Sequence, residues 1–97
     1  SEGCDKGVAL SITSLLISYN QITVLPKEIY LLTQLQTFYC NNNQIKELPK
    51  EIGQLTQLQK FYCSYNQITE LPKEIGQLTQ LQEFNCYKNL KVYICRR

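Results

Sequence analysis

The chain has 97 residues, a net charge of +2 with Lys, Arg, Asp and Glu interspersed, and neither His nor Trp. That length holds one small domain. The mixed charge leaves no electrostatic footprint for nucleic acid, and no apolar run approaches the roughly 20 residues of a membrane span. The five cysteines are an odd number, which argues against a complete disulfide framework.

Residues 1–11 read as a lead-in. They open SEGCDKG, without the apolar h-region of a signal peptide. From residue 12 the chain falls into a 23-residue period: Asn20, Asn43, Asn66 and Asn89 share it, as do Pro26, Pro49 and Pro72, Phe38, Phe61 and Phe84, and Cys40, Cys63 and Cys86. A fixed period of this size marks a solenoid, in which each unit buries its apolar face against its neighbours. The units run 12–34, 35–57, 58–80 and an incomplete 81–97. The whole chain, 1–97, is therefore expected to be a single repeat domain.

Within each unit the elements follow in a fixed order. Apolar and polar residues alternate over 37–41 and 60–64, which reads as a short strand. Phe38 and Cys40 point one way; Thr37, Tyr39 and Asn41 point the other. After the Asn the spacing changes. Ile52, Leu55 and Leu58 recur every three residues beyond Pro49, which suggests a 3₁₀ or short helical return, with Pro setting its first φ. The fold class expected is an α/β solenoid, a short arc with a parallel β-sheet on its concave face and 3₁₀ or short helical returns on its convex face. The tail, Leu90-Lys-Val-Tyr-Ile94, breaks register and reads as an extra apolar strand. Lys91, Arg96 and Arg97 end the chain as a small solubilising basic tail.

The unit consensus, Leu-x-x-Phe-x-Cys-x-x-Asn-x-Ile-x-x-Leu-Pro, resembles the leucine-rich repeat signature L-x-x-L-x-L-x-x-N-x-L. The match runs through Leu35, Phe38, Cys40, Asn43 and Ile45, and again through Leu58, Phe61, Cys63, Asn66 and Ile68. The LPKEIGQLTQLQ segments look like the 23-residue repeats of bacterial, especially spirochaete, members. The resemblance covers roughly residues 12–94. It implies that the Asn column bonds the backbone of adjacent coils. It also implies a secreted or cell-surface bacterial protein with a host partner.

Seven columns are expected to face inward, one of them the Leu15, Phe38, Phe61, Phe84 spine and another Leu25, Leu48, Leu71, Ile94. Burying one such apolar side chain contributes about 1.5–3 kcal/mol. The Cys column reads as small buried hydrophobes. In-register strands lie about 4.8 Å apart, while disulfide β-carbons sit near 3.8 Å. The spacings lack the close ligand pairs of a zinc site. Cys4 and Cys95 fall outside the ladder, where either could form an intermolecular bridge. With no His, no phosphate-cradling glycine loop and carboxylates that merely recur with the repeat, no catalytic residue, metal or other cofactor is expected, and the chain reads as a non-enzyme.

The functional signal lies where the repeat fails to repeat. Residues 35–57 and 58–80 differ at four positions only: Thr37/Lys60, Asn41/Ser64, Asn42/Tyr65 and Lys46/Thr69. None falls in the core or on the return. Beside them stand tyrosines, which favour recognition by offering rigid contact area and a hydroxyl. The partner-binding residues expected are Leu16, Tyr19, Thr37, Tyr39, Asn41, Asn42, Lys60, Tyr62, Ser64, Tyr65, Glu83, Asn85 and Tyr87, meeting a protein ligand. Four strands by four residues make a face of only about 250 Å², against about 800 Å² per partner in a standard interface, so a small epitope is implied. The competing reading is a structural or self-assembling unit. In that reading the tyrosines only pack the sheet, and the solenoid ends, residues 1–11 and 88–97, make homo-oligomer contacts.

Overall fold

The computed structural model describes residues 11–90. Four three-residue strands form one parallel sheet in chain order: β1 (Ser14–Leu16), β2 (Thr37–Tyr39), β3 (Lys60–Tyr62) and β4 (Glu83–Asn85). Each residue pairs with its equivalent one repeat later, as in Leu15↔Phe38, Phe38↔Phe61 and Phe61↔Phe84. Between strands the chain returns through three 3₁₀ turns at Lys27–Leu31, Lys50–Gln54 and Lys73–Gln77. This is the α/β solenoid expected, with the sheet on one side of the coil and the 3₁₀ returns on the other.

The alternation read over 37–41 and 60–64 is longer than the strands themselves. The inter-coil bonding nevertheless continues past them: the Cys40 amide donates to the Tyr62 carbonyl (2.8 Å) and the Asn42 amide to the Ser64 carbonyl (3.0 Å). The prolines also act one position earlier than expected. Pro26, Pro49 and Pro72 are extended, with ψ of 145°, 165° and 147°, and precede the first helical residue. Their carbonyls accept the first turn bond, from Ile29, Ile52 and Ile75, each at 3.1 Å. Proline, with no N–H and a fixed φ, leads the chain into the turn without a lost donor.

The core lies between sheet and returns. Phe38 and Phe61 are fully buried, and the three Phe rings stack with centroids 5.3 and 5.4 Å apart, each pair 11° from parallel. Leu35, Leu58, Ile45, Ile68, Ile52, Leu55 and Leu78 are likewise sealed from solvent. Unit one is less covered: Ile12, Leu15, Ile17, Ile22 and Ile29 are only partly buried, and so is Leu71 in unit three. Ile94, Cys4, Cys95, the tail strand and the basic tail lie outside the described residues.

The Cys column departs from its expected uniform state. Cys40 and Cys63 are free and buried. Burial pushes the Cys40 thiol up to about 12 and holds that of Cys63 well above its ordinary value, with the Cys40 charge adding to the effect. Thiols held this far from ionisation are poor nucleophiles. Cys86 is disulfide-bonded, and its partner lies outside the described residues. Strand spacing excludes an in-register bond along the ladder, and Cys40 and Cys63 form none. The Cys86 bond leaves the ladder.

A second surprise sits on the returns. Tyr30 is buried at 2% exposure, at the position where later units carry Gly53 and Gly76. Its hydroxyl has no hydrogen-bond partner. Burial raises its pKa, with the charges of Glu51 and Cys40 adding to the effect. The equivalent position in unit two has no room for a side chain, while that in unit three does. A Cβ there would stand 2.5 Å from Gln77 Oε1 and 3.0 Å from both Glu74 Cβ and the Glu74 carbonyl oxygen, whereas one at Gly76 would meet nothing within 4 Å.

Candidate functional site

Three consecutive columns leave the sheet after each strand, and each has a different chemistry. The innermost is the Asn column. Asn66 Nδ2 donates to the carbonyls of Cys40 (3.0 Å), Cys63 (3.1 Å) and Ser64 (3.1 Å), and its Oδ1 accepts from the Ile45 amide at 3.0 Å. Asn43 and Asn89 repeat this pattern one unit earlier and later. Each amide thus satisfies its own turn and clamps the preceding coil, as the resemblance implied. Asn20 is exposed and, among the described residues, makes only the local bonds, to Ile17 and Ser18.

The next column is Ser18, Asn41, Ser64 and Tyr87. Ser18 Oγ accepts from the Asn41 amide (3.0 Å), Asn41 Oδ1 from the Ser64 amide (2.7 Å), and Ser64 Oγ from the Tyr87 amide (2.9 Å). Each side chain receives a backbone N–H from the following coil. This corrects the outward placement of Asn41 and Ser64. Ser64 is buried at 4% exposure, and Asn41 is half-buried. Their difference between the two near-identical units exchanges one acceptor for another. Tyr87, which serves no further coil among the described residues, is 61% exposed.

The third column is Tyr19, Asn42, Tyr65 and Lys88. All four hold left-handed backbone, with φ of 59°, 59°, 60° and 56°. Asn tolerates this conformation; for other L-residues it costs roughly 1–2 kcal/mol. The coil imposes it, since Tyr19 and Tyr65 amides donate to the carbonyls of Asn41 (3.0 Å) and Tyr87 (2.8 Å) in the next coil. Tyr19 is 79% and Tyr65 54% exposed. Among the described residues their side chains make no hydrogen bond.

On the sheet face proper the tyrosines are engaged with one another. Tyr39 and Tyr62 are half-buried, not exposed as expected. Their rings stack 4.4 Å apart at 12°. The Tyr62 hydroxyl donates to Glu83 Oε1. That hydrogen bond, with burial and the Glu83 charge behind it, pushes the Tyr62 phenol up to about 12. Leu16, in the same column as Tyr39 and Tyr62, is 66% exposed. Lys60 stands in register between Thr37 and Glu83, and Asn85 in register with Tyr62. Apart from Ser64, which is buried, the predicted residues lie along the strands or at their exits, with Tyr39 and Tyr62 packed as a floor and Tyr19, Tyr65 and Tyr87 exposed beside it.

A separate open cleft of about 520 Å³ lies between units one and two, with Val24, Lys27, Lys46, Glu47 and Glu51 in its walls. Sequence reading did not find it, because it forms only where the Leu-Pro-Lys-Glu segments of two adjacent coils stack. Lys46, one of the four differing positions, belongs to this cleft and not to the tyrosine surface. Among the described residues no three His, Cys, Asp or Glu side chains gather to hold a metal ion, and no helix is long and apolar enough to cross a membrane.

The leucine-rich repeat region model matches residues 10–93. The chain belongs to the leucine-rich repeat family. Among solved structures, a leucine-rich repeat protein of Leptospira interrogans is similar at 47% identity over 80% of this chain, with a TM-score of 0.78. The functional domain of InlJ from Listeria monocytogenes, described as including a cysteine ladder, is similar at 32% identity over 88% of this chain, with a TM-score of 0.75. The ectodomain of the membrane receptor kinase GASSHO1/SCHENGEN3 from Arabidopsis thaliana, solved in complex with CASPARIAN STRIP INTEGRITY FACTOR 2, is similar at 30% identity over 82% of this chain, with a TM-score of 0.77. This chain spans only 20%, 18% and 10% of those three. No curated protein matches it significantly. This leucine-rich repeat family is generally a non-enzymatic, protein-interacting one.

Proposed function

We propose that this leucine-rich repeat chain is a single non-catalytic module that binds a protein partner through its tyrosine-bearing concave face. The observation that carries the reading is the exposure of Tyr19, Tyr65 and Tyr87, at 79%, 54% and 61%, on positions where the coil needs no aromatic ring. Leu16, Tyr39 and Tyr62 form the floor beneath them. Thr37, Asn42, Lys60, Glu83 and Asn85 supply the polar border, with Asn41 at its edge; Ser64 is withdrawn from the set by its burial. Large rigid aromatics in a polar surround are what binding surfaces favour.

The likeness to proteins of Leptospira interrogans and Listeria monocytogenes supports a bacterial origin, and secretion or surface display towards a host protein belongs to the same proposal. A photocrosslinking residue placed at Tyr87, and separately at Tyr62, tests the reading. The expected result is one partner captured from both positions, with capture lost in a Tyr65→Ala, Tyr19→Ala double variant that keeps its fold. Capture of that partner undiminished by the double variant, or obtained only from a crosslinker on the 3₁₀ returns, would overturn it.

A further inference from the structure

The rim column holds two tyrosines in a conformation that disfavours them, with Asn42, the residue suited to that backbone, between them. Equivalent positions of a repeating coil with the same φ, near 60°, direct their Cα–Cβ bonds in parallel. Adjacent coils are spaced about 4.8 Å, so Tyr19 and Tyr65 stand about 9.6 Å apart along the solenoid axis. A polyproline II helix repeats every three residues, about 9.3 Å. An extended β-strand presents like-facing side chains every two residues, about 6.6 Å, and falls out of step with this spacing.

Accordingly, we infer that the strand-exit rim Tyr19–Asn42–Tyr65–Lys88 binds a proline-rich segment in polyproline II conformation, running along the solenoid axis with an acidic residue at its Lys88 end. This rests on the reading of the chain as a protein-binding module and names the partner's chemistry. Each exposed ring takes one face of a proline three residues from the next. Asn42 lies between the rings, where its amide meets a ligand carbonyl, because polyproline II makes no internal hydrogen bonds. Aromatic-lined grooves recognise such segments in this way because the ligand loses little entropy on binding. Lys88 is exposed, forms no ion pair among the described residues and stands one coil beyond Tyr65, so charge complementarity sets the direction of the segment.

The test is an NMR titration of the isotope-labelled chain with a capped decapeptide of eight prolines followed by two aspartates. A Gly-Ser peptide and an Ala-rich helical peptide with the same acidic end serve as controls. The expected result is saturable shifts centred on Tyr19, Asn42, Tyr65 and Lys88. Affinity should fall at least tenfold in Tyr65→Asn, a change the left-handed backbone accepts without unfolding. Ending the peptide in two lysines should weaken binding several-fold at low salt, a difference that shrinks as salt is added. Equal binding of either control, shifts that spare the rim, or an unchanged affinity in Tyr65→Asn would each overturn the inference. Failure of the proline peptide alone leaves the crosslinking result at Tyr87 and Tyr62 intact, so the two readings fail separately.

Discussion

Asn66 and Tyr65 are neighbours in the chain and occupy adjoining columns, yet the solenoid treats them oppositely. Asn66 is 6% exposed, with its amide nitrogen and oxygen serving three carbonyls and one N–H across two coils. Tyr65 is 54% exposed and sits at a φ of 60° that its residue type disfavours. One column is fixed in identity because stacking leaves backbone groups that only an amide satisfies. The other is fixed in conformation by the same stacking, while its side chain is released to solvent. The contrast separates residues the coil requires from residues the coil merely tolerates.

Four experiments break or sharpen this contrast. The largest effect is expected for Asn66→Ala, which orphans the buried Ile45 amide and leaves the Cys40 and Cys63 carbonyls to Asn43 and Asn89 alone. It should lower stability by about 2–4 kcal/mol in urea unfolding. Asn20→Ala, which removes only local exposed bonds, should cost under about 1 kcal/mol. Equal losses at the two sites would show that inter-coil clamping is not what the column supplies. The second experiment compares one repeat position in two settings. Gly53→Ala pushes a methyl into Glu74 and Gln77 and should cost about 1–3 kcal/mol. Gly76→Ala meets open space and should gain about 0.4–1 kcal/mol by restricting the unfolded chain.

Third, Tyr65→Asn should raise stability by about 0.5 kcal/mol, since Asn is at home in left-handed backbone. A loss of stability instead would mean that the tyrosine packs the coil and is not released to solvent. The smallest effect is a titration. The Tyr62 phenol, raised to about 12 mainly by its hydrogen bond to Glu83, stays protonated in the folded chain above the pH at which an unfolded Tyr ionises. The contribution of that bond is therefore complete below the unfolded value near 10 and disappears as pH climbs through 10 towards 12. Phenolate absorbance should show Tyr30 and Tyr62 titrating late, and Glu83→Ala should return only Tyr62 to the ordinary range.

Much of this molecule was legible in its sequence because a repeat exposes its own logic. The Phe spine, the Asn clamps and the alternation of strand and 3₁₀ return all follow from a period that places like residues in contact. The rest depended on interactions that cross the period. Asn41 and Ser64 looked like surface variation because alternation places them outward, but both serve the next coil's N–H, a bond visible only once coils are stacked. Tyr39 and Tyr62 looked exposed because they alternate with core residues, yet each covers the other. Cys86 shares its column with two free thiols and is nonetheless disulfide-bonded, because its bond leaves the column.

The sequence by itself therefore determined the architecture, the register and the core of this leucine-rich repeat chain. Periodicity is a one-dimensional statement of which residues meet, and a solenoid adds almost no contacts beyond its nearest neighbours. The tertiary structure alone decided which surface residues are free. That depends on backbone conformation at the strand exit and on hydrogen bonds between coils, and neither is written in the identity of a single residue. The left-handed φ shared by Tyr19, Asn42, Tyr65 and Lys88 turns Tyr19 and Tyr65 away from the face on which Tyr39 and Tyr62 stack.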